Sequence, residues 1–371
     1  MKKKSATIYP YSKRDVQFFR YASLLKEVQP VYAVSPPGWG LCGHDVTDID
    51  GGQPSGVKIT EDLEQALQNS EILIITSFEN YGGEDGGLKD TLKTAIQFKK
   101  PVMLLYPAKT TEEKELLKKS VQLGLLCWSA EQHHEHIIIP KEELYHCEDL
   151  KAPVTMIIGQ GPYTGKFETQ LGMRQELLNR GFKISQVGSR PCCELFGFHS
   201  FPSFMFSNEL NETRKILAFN YFIKQIEKAE EPDLLIVGVP GGVMPVIEKI
   251  HNNFGMLHVE VSAALEPDLV IYNLYSNGYT TKYYEKSSEL ISNRLNHVQI
   301  SCFIVSNSWI DYSAYTESDE FRVITFRELC DKIIEKPKDV PAISILDADA
   351  FKKVTDATVS VLEEFGTINF Y

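Results

Sequence analysis

The residues best suited to chemistry in this 371-residue chain form one run, Ile157-Ile158-Gly159-Gln160-Gly161-Pro162-Tyr163-Thr164-Gly165-Lys166, an apolar strand that breaks into a glycine-rich turn and opens a helix. In such a turn successive main-chain amides can face one point, the helix start adds partial positive charge, and a lysine brings a mobile ammonium to the outer phosphates of a ligand. Gly159, Gly161, Tyr163, Thr164, Gly165 and Lys166 are therefore the candidate binding residues, for ATP, another nucleotide or a simpler phosphate. The spacing departs from the standard phosphate-binding loop. Five residues separate Gly159 from Gly165 and three separate Gly161 from it, where the standard motif has four. Phe167 and Glu168 follow Lys166, so the hydroxyl that normally holds magnesium is missing, and Thr169 is the nearest substitute. Glu168 also brings negative charge close to where phosphates would sit. The alternative is a tight strand-to-helix turn that keeps its glycines for backbone geometry and grips no ligand.

Ser189-Arg190-Pro191-Cys192-Cys193-Glu194 follows an expected strand at 183–187 and should emerge at the same sheet edge as the glycine turn. Arg190 is suited to a fork onto phosphate or carboxylate, or else to a surface pair with Glu194. Adjacent thiols such as Cys192 and Cys193 share one metal poorly, and no second pair lies nearby. His133-His134-Glu135-His136 with His146-Cys147 is the sole histidine cluster, but neighbours leading into a strand point to opposite faces, so a solvated linker is the simpler expectation. No metal centre and no catalytic residue is assigned. Phe196, Phe198, Phe201, Phe204 and Phe206 follow neither helical nor alternating period. They must pack inside, line an apolar pocket or meet another chain. No nucleophile elbow, metalloprotease helix or dehydrogenase fingerprint is present.

Two rounds of strand and helix position these residues. In the first, strands at 7–9, 31–34, 72–76 and 102–106 alternate with helices, one of them near 14–27. Such alternation implies a parallel sheet covered on both faces, with any site at the carboxyl ends of its strands. The loops there are 35–40 and 77–87, the latter carrying Gly82-Gly83 and Gly86-Gly87. From 109 the chain turns polar, with a helical patch at 112–122 and a short strand at 137–139, and the domain boundary is placed near Leu150. The second round has strands at 154–158, 183–187, 234–237, 257–261, 269–273, 300–305 and 322–325, and helices at 169–180, 209–229 and 245–252.

Composition narrows the partners. Apolar residues make up 43% and charged residues 24%, as in soluble globular proteins. The formal net charge of -12 repels phosphate backbones and anionic lipid, so neither nucleic acid nor membrane is expected as a partner. No apolar run approaches membrane-spanning length, and the polar Ser5 follows Lys2-Lys3-Lys4 where a secretory segment would turn apolar. With seven scattered cysteines, the expectation is a cytoplasmic protein with free thiols.

The spacing of five before Gly165-Lys166 resembles dethiobiotin synthetase and its relatives in the SIMIBI class of P-loop proteins. It is also similar to a P-loop family with a Rossmann-like N-terminal domain, in which threonine does not directly follow the lysine. Gly159 through Phe167, with the downstream Gln170-Leu171, resembles a clostridial family found in maturation systems for ribosomally made peptides. These likenesses imply an α/β chain with a Rossmann-like N-terminal domain at 1–108, a connecting segment at 109–150 and a P-loop NTPase-like parallel-sheet domain at 151–371. They imply an accessory protein of peptide natural-product maturation, with a precursor peptide or maturation enzyme as partner and a homo-oligomer as a further expectation. In such P-loop relatives a second strand ends in an acid that orients magnesium and water. Here Gly238 stands in that place, and Asp233 lies five positions back, about 17 Å away along the strand. With hydroxyl and carboxylate both missing, the expectation is nucleotide or phosphate binding without efficient hydrolysis, any magnesium lacking its usual ligands. The same resemblance also implies a competing reading, an ATP-dependent ligase or kinase with Lys166 at the phosphates and Thr169 on magnesium. Asn307 follows the strand expected at 300–305, where SIMIBI relatives read the base, with an ordinary polar loop as the simpler alternative.

Overall fold

The computed structural model describes residues 2–78, 87–130, 145–247, 250–311, 322–325 and 340–364. The chain divides into two compact units, Met1–His136 with Glu194–Gly197, and Ile137–Cys193 with Phe198–Tyr371.

In the first unit, β1 (Lys4–Tyr9), α1 (Val16–Arg20), β2 (Val28–Val34), β3 (Ile59–Thr60), α2 (Leu63–Gln68), β4 (Ile72–Ile75), α3 (Gly87–Gln97), β5 (Val102–Leu104), α4 (Thr111–Gln122) and β6 (Leu126–Ser129) follow one another. The strands form one parallel sheet in the order β3-β2-β1-β4-β5-β6, the doubly wound Rossmann arrangement. β4 is buried along its whole length because helices cover both faces of such a sheet. The helix expected over 14–27 is shorter. Ser12 and Asp15 cap a 3-10 turn at Lys13–Asp15, α1 adds five residues, and the chain then turns so that Leu25 and Val28 enter the core.

The connecting segment expected at 109–150 needs correction. Its first part is α4 and β6, and β6 pairs with β5, so it completes the first sheet. It reads as polar because α4 buries only one side, with Leu116 and Leu117 against the core and a Thr110–Glu113 capping box at its start. Gly82, Gly83 and Gly86, the His133–His136 run and the strand expected at 137–139 lie outside the described residues.

The second unit runs β7 (Val154–Gly159), α5 (Lys166–Asn179), β8 (Ile184–Gly188), β9 (His199–Ser200), α6 (Glu212–Glu230), β10 (Leu234–Gly238), α7 (Met256–Leu265), β11 (Leu269–Leu274), α8 (Thr281–Arg294), β12 (Gln299–Val305), β13 (Ser308–Asp311), β14 (Arg322–Thr325), β15 (Ala342–Ser344) and α9 (Ala350–Glu364). Its parallel sheet has the order β15-β12-β11-β7-β10-β8-β9, placing the fully buried β7 between β11 and β10. One face packs Ile157, Ile236 and Ile304 against Met173 and Leu177 of α5 and Val354 of α9. The other packs Met156, Ile158 and Tyr272 against Phe219 and Ile223 of α6, Val261 of α7 and Tyr284 of α8. Phe201 and Phe204 join this second core, and Phe206 is exposed. The strand expected at 322–325 forms, but it pairs antiparallel with β13 outside the large sheet. No helix among the described residues is long and apolar enough to cross a membrane.

Two expectations between 245 and 261 are reversed. The described residues 245–247 and 250–251 are not helical, Ile247 and Ile250 forming an isolated bridge before a 3-10 turn at Asn252–Gly255, and the strand expected at 257–261 is the interior of α7. Met256–Leu265 is apolar around most of its circumference, and a short apolar run with valines has no period that separates strand from buried helix. Ahead of α7, Asn252, Asn253, Phe254 and Gly255 all adopt left-handed backbone, with φ of 50°, 47°, 54° and 67°. At Gly255 a Cβ would also overlap the Val243 carbonyl. Gly255→Ala should therefore cost about 2–5 kcal/mol, combining left-handed strain with overpacking. Urea denaturation measures this, and a loss below about 1 kcal/mol would show that the turn relaxes freely.

Candidate phosphate-binding site

The site is built where β7 ends. Gly165, left-handed at φ 77°, turns the chain into α5, and the helix is buried at every position from Lys166 to Arg174. The loop is held from behind by side chains that sequence reading did not identify. Gln160 donates its main-chain N–H to the Asn273 main-chain carbonyl at 2.9 Å, and its side-chain Oε1 accepts from the Tyr279 hydroxyl at 2.6 Å and the Tyr275 main-chain amide at 3.2 Å. The Tyr275 hydroxyl donates to the Pro162 carbonyl at 2.6 Å, and Asn252 Nδ2 donates to the Gln160 carbonyl at 2.9 Å. A polar residue between two glycines was the one available signal for Gln160.

With its shape fixed this way, the loop leaves the main-chain amides of Gly161, Thr164, Gly165 and Lys166 donating to no described residue. Tyr163, at φ 62° and 45% exposed, forms the outer tip. Thr164 is buried and donates to the Gly161 carbonyl at 3.0 Å. Glycine is required at 159 because a Cβ there would overlap Thr164 and the returning side chain of Lys166.

Lys166 is only 7% exposed, and its Nζ donates to the carbonyls of Gly161 at 2.8 Å and Gly241 at 2.7 Å. It thus bridges the turn after β7 to the turn after β10. Burial, reinforced by the Arg190 charge, pushes its pKa down to about 7. His258, in the first turn of α7, is also fully buried, and neither ring nitrogen has a hydrogen-bond partner among the described residues. Burial and the charges of Lys166 and Arg294 push its pKa well below the ordinary histidine value, so it is neutral near pH 7.

Thr169 donates to the Gly165 carbonyl at 3.2 Å and accepts from Asn273 Nδ2 at 2.8 Å, so its hydroxyl is engaged in the contact between α5 and β11. Arg190 follows β8 at the same sheet edge, its guanidinium carbon 4.6 Å from the centre of the Phe167 ring. Cys192 and Cys193 are buried, and Cys193 Sγ lies 3.0 Å from the Arg190 carbonyl. Asn307 sits between β12 and β13, partly exposed. Asp233 precedes β10 and accepts from the Lys183 amide at 2.8 Å, at the edge opposite the loop.

No protein-family profile matches the chain, and no curated protein matches it. Among solved structures, a DUF1611 family protein from Anabaena variabilis is similar with a TM-score of 0.55 and 14% identity, over 82% of this chain and 88% of that one. A cobyrinic acid a,c-diamide synthase from Mycobacterium smegmatis with bound ADP and magnesium gives 0.36 and 12% identity, over 59% of this chain and 99% of that one. The hydrogenase maturation factor HypB from Archaeoglobus fulgidus gives 0.32 and 14% identity, over 57% and 91%. The likeness is one of fold: an α/β protein with two parallel sheets, the first in Rossmann-like order. None of the three is described as a peptide natural-product protein.

Proposed function

We propose that the second unit binds a nucleotide or a related phosphorylated ligand on its 159–166 loop and does not hydrolyse it efficiently. The observation that carries this reading is the set of amides at Gly161, Thr164, Gly165 and Lys166, which open a helix and donate to no described residue. Lys166 and Arg190 supply the positive charge. Hydrolysis needs a positioned metal and water, and Phe167 and Gly238 offer no oxygen ligand where a phosphate-binding loop normally carries a hydroxyl and a carboxylate. Magnesium therefore does not fit the side chains at these two positions. The likeness of residues 159–167 and Gln170-Leu171 to peptide-maturation proteins supports an accessory role in the cytoplasm, with a precursor peptide or a maturation enzyme as the partner and self-association as part of the same proposal.

Calorimetry with ATP and ADP tests the reading. Binding to the full chain is expected, with Lys166→Ala abolishing it, because one charged hydrogen-bond donor is lost and the loop loses its bridge to Gly241. Rapid magnesium-dependent ATP turnover by the purified protein would instead establish a working ligase or kinase.

A further inference from the structure

The two positions that lack metal ligands are filled in a coordinated way. Phe167 stands where the hydroxyl is normally found, and its buried ring lies under the Arg190 guanidinium at 4.6 Å. Gly238 stands where the carboxylate is normally found, and the space a Cβ would need there holds the side-chain amide of Gln170. That amide reaches the Arg190 turn. Gln170 Nε2 donates to Ser189 Oγ at 3.2 Å, and Gln170 Oε1 accepts from the Ser189 main-chain amide at 3.2 Å. Gln170 is itself fixed, fully buried, by Gln186 Nε2 donating to its carbonyl at 3.2 Å. One substituted position thus provides the face on which Arg190 rests, and the other provides the room for the side chain that anchors its turn.

We propose that Arg190 replaces the divalent cation of the phosphate-binding loop, so that this protein binds its anion with a guanidinium and without magnesium. A guanidinium is permanently charged, presents a planar fork matched to phosphate oxygens and stacks on an aromatic face, which an ammonium does less well. It also gives Phe167 a chemical role, since its ring has no oxygen to offer a metal but does offer a face to the guanidinium. The arrangement neutralises charge on a phosphate but supplies no metal-bound water to attack it.

This inference rests on the 159–166 loop being the anion cradle, and the experiment separates the two ideas. Tripolyphosphate and ADP are titrated into the full chain in EDTA and again in excess magnesium. Equal affinity in both is expected. Arg190→Ala should weaken binding in EDTA by about tenfold to a hundredfold, and Arg190→Lys should recover only part of the loss. Restoring oxygen ligands in the triple variant Phe167→Thr, Gln170→Ser, Gly238→Asp should make binding magnesium-dependent. Wild-type binding that disappears in EDTA, or an Arg190→Ala affinity equal to wild type, overturns the role of Arg190 and leaves the cradle standing. Absence of binding in both solutions overturns the cradle and the inference together. The two wild-type titrations decide the matter even where the triple variant fails to fold.

Discussion

Above pH 7 the affinity of this protein for a nucleotide should fall, by up to about tenfold for each pH unit. The cause is Lys166, whose pKa burial and the Arg190 charge push down to about 7 in the ligand-free fold. Its Nζ donates to two carbonyls, which the two hydrogens of a neutral amine satisfy. A bound phosphate favours the ammonium, so binding raises this pKa and the complex takes up a proton. Below about pH 7 the amine is charged before and after binding, and affinity is flat on its account. Above it, protonation must accompany binding, and the terminal phosphate is by then fully ionised. Calorimetry from about pH 7 to about pH 9, in buffers of different ionisation enthalpy, reads both the slope and the proton. Lys166→Arg, charged throughout, should flatten the profile. The ligand-free protein should show the opposite trend in stability. Between about 7 and the ordinary value of 10.5 its folded state binds fewer protons than the unfolded chain, so unfolding free energy rises with pH across that window. A nucleotide affinity that stays constant to pH 9 would mean that Lys166 does not meet the phosphate as a titrating amine.

Glu227→Ala should cost about 3–5 kcal/mol of stability without touching the loop. Glu227 on α6 accepts from the amides of Lys151 at 2.6 Å and Ala152 at 3.0 Å, the residues that lead into β7. Its other oxygen pairs with Lys224 at 2.5 Å, both side chains being 7% exposed, and Lys224 also donates to the Asp149 carbonyl at 2.5 Å. Truncation leaves a buried ammonium and two amides without their acceptor, whereas the double change Lys224→Met, Glu227→Leu should recover part of the loss. Burial by itself raises the Glu227 pKa, but the hydrogen bonds from Lys224, Ala152 and Lys151 outweigh it and the net shift is downward. Its contribution is therefore present above the ordinary carboxylate pKa and is lost as pH falls through the lowered folded value. Urea titrations at neutral and acid pH measure both effects, and a loss under about 1 kcal/mol would mean that water replaces the carboxylate.

The parts of this fold that could be read from sequence are those with a strong local signal. β10 is an unbroken apolar run, β7 and β11 are apolar but for Thr155 and Asn273, and the long helix now seen as Glu212–Glu230 is capped by Asn211 and packs an apolar face, with Phe219 and Ile223 in the core. Elements that draw their stability from neighbours were missed or misread. β3 is two residues long and β6 four, and each exists because a neighbouring strand, β2 or β5, offers it a ladder. α7 was misread as a strand because it is buried too completely to show a period. At the site, the glycines and Lys166 announced themselves by spacing, and Arg190 by its place after β8. Gln170 did not, because its function is to fill a space more than sixty residues away, beside a glycine whose significance looked like a simple loss. The five phenylalanines were legible only as apolar mass. Four are buried, Phe196 packing on Phe18 with ring centres 5.2 Å apart in the first unit, and only Phe206 is substantially exposed.

The interlock of Gln170 with Gly238 also bears on how such a sequence can change over generations. One base substitution converts a glycine codon to an aspartate codon, but a carboxylate arriving at 238 would collide with the resident glutamine before it had done anything useful. Whether Gln170 shrinks or swings aside to make room, its two contacts to Ser189 are lost. The two positions are therefore coupled, and a change at either one bears on the anchoring of the Arg190 turn.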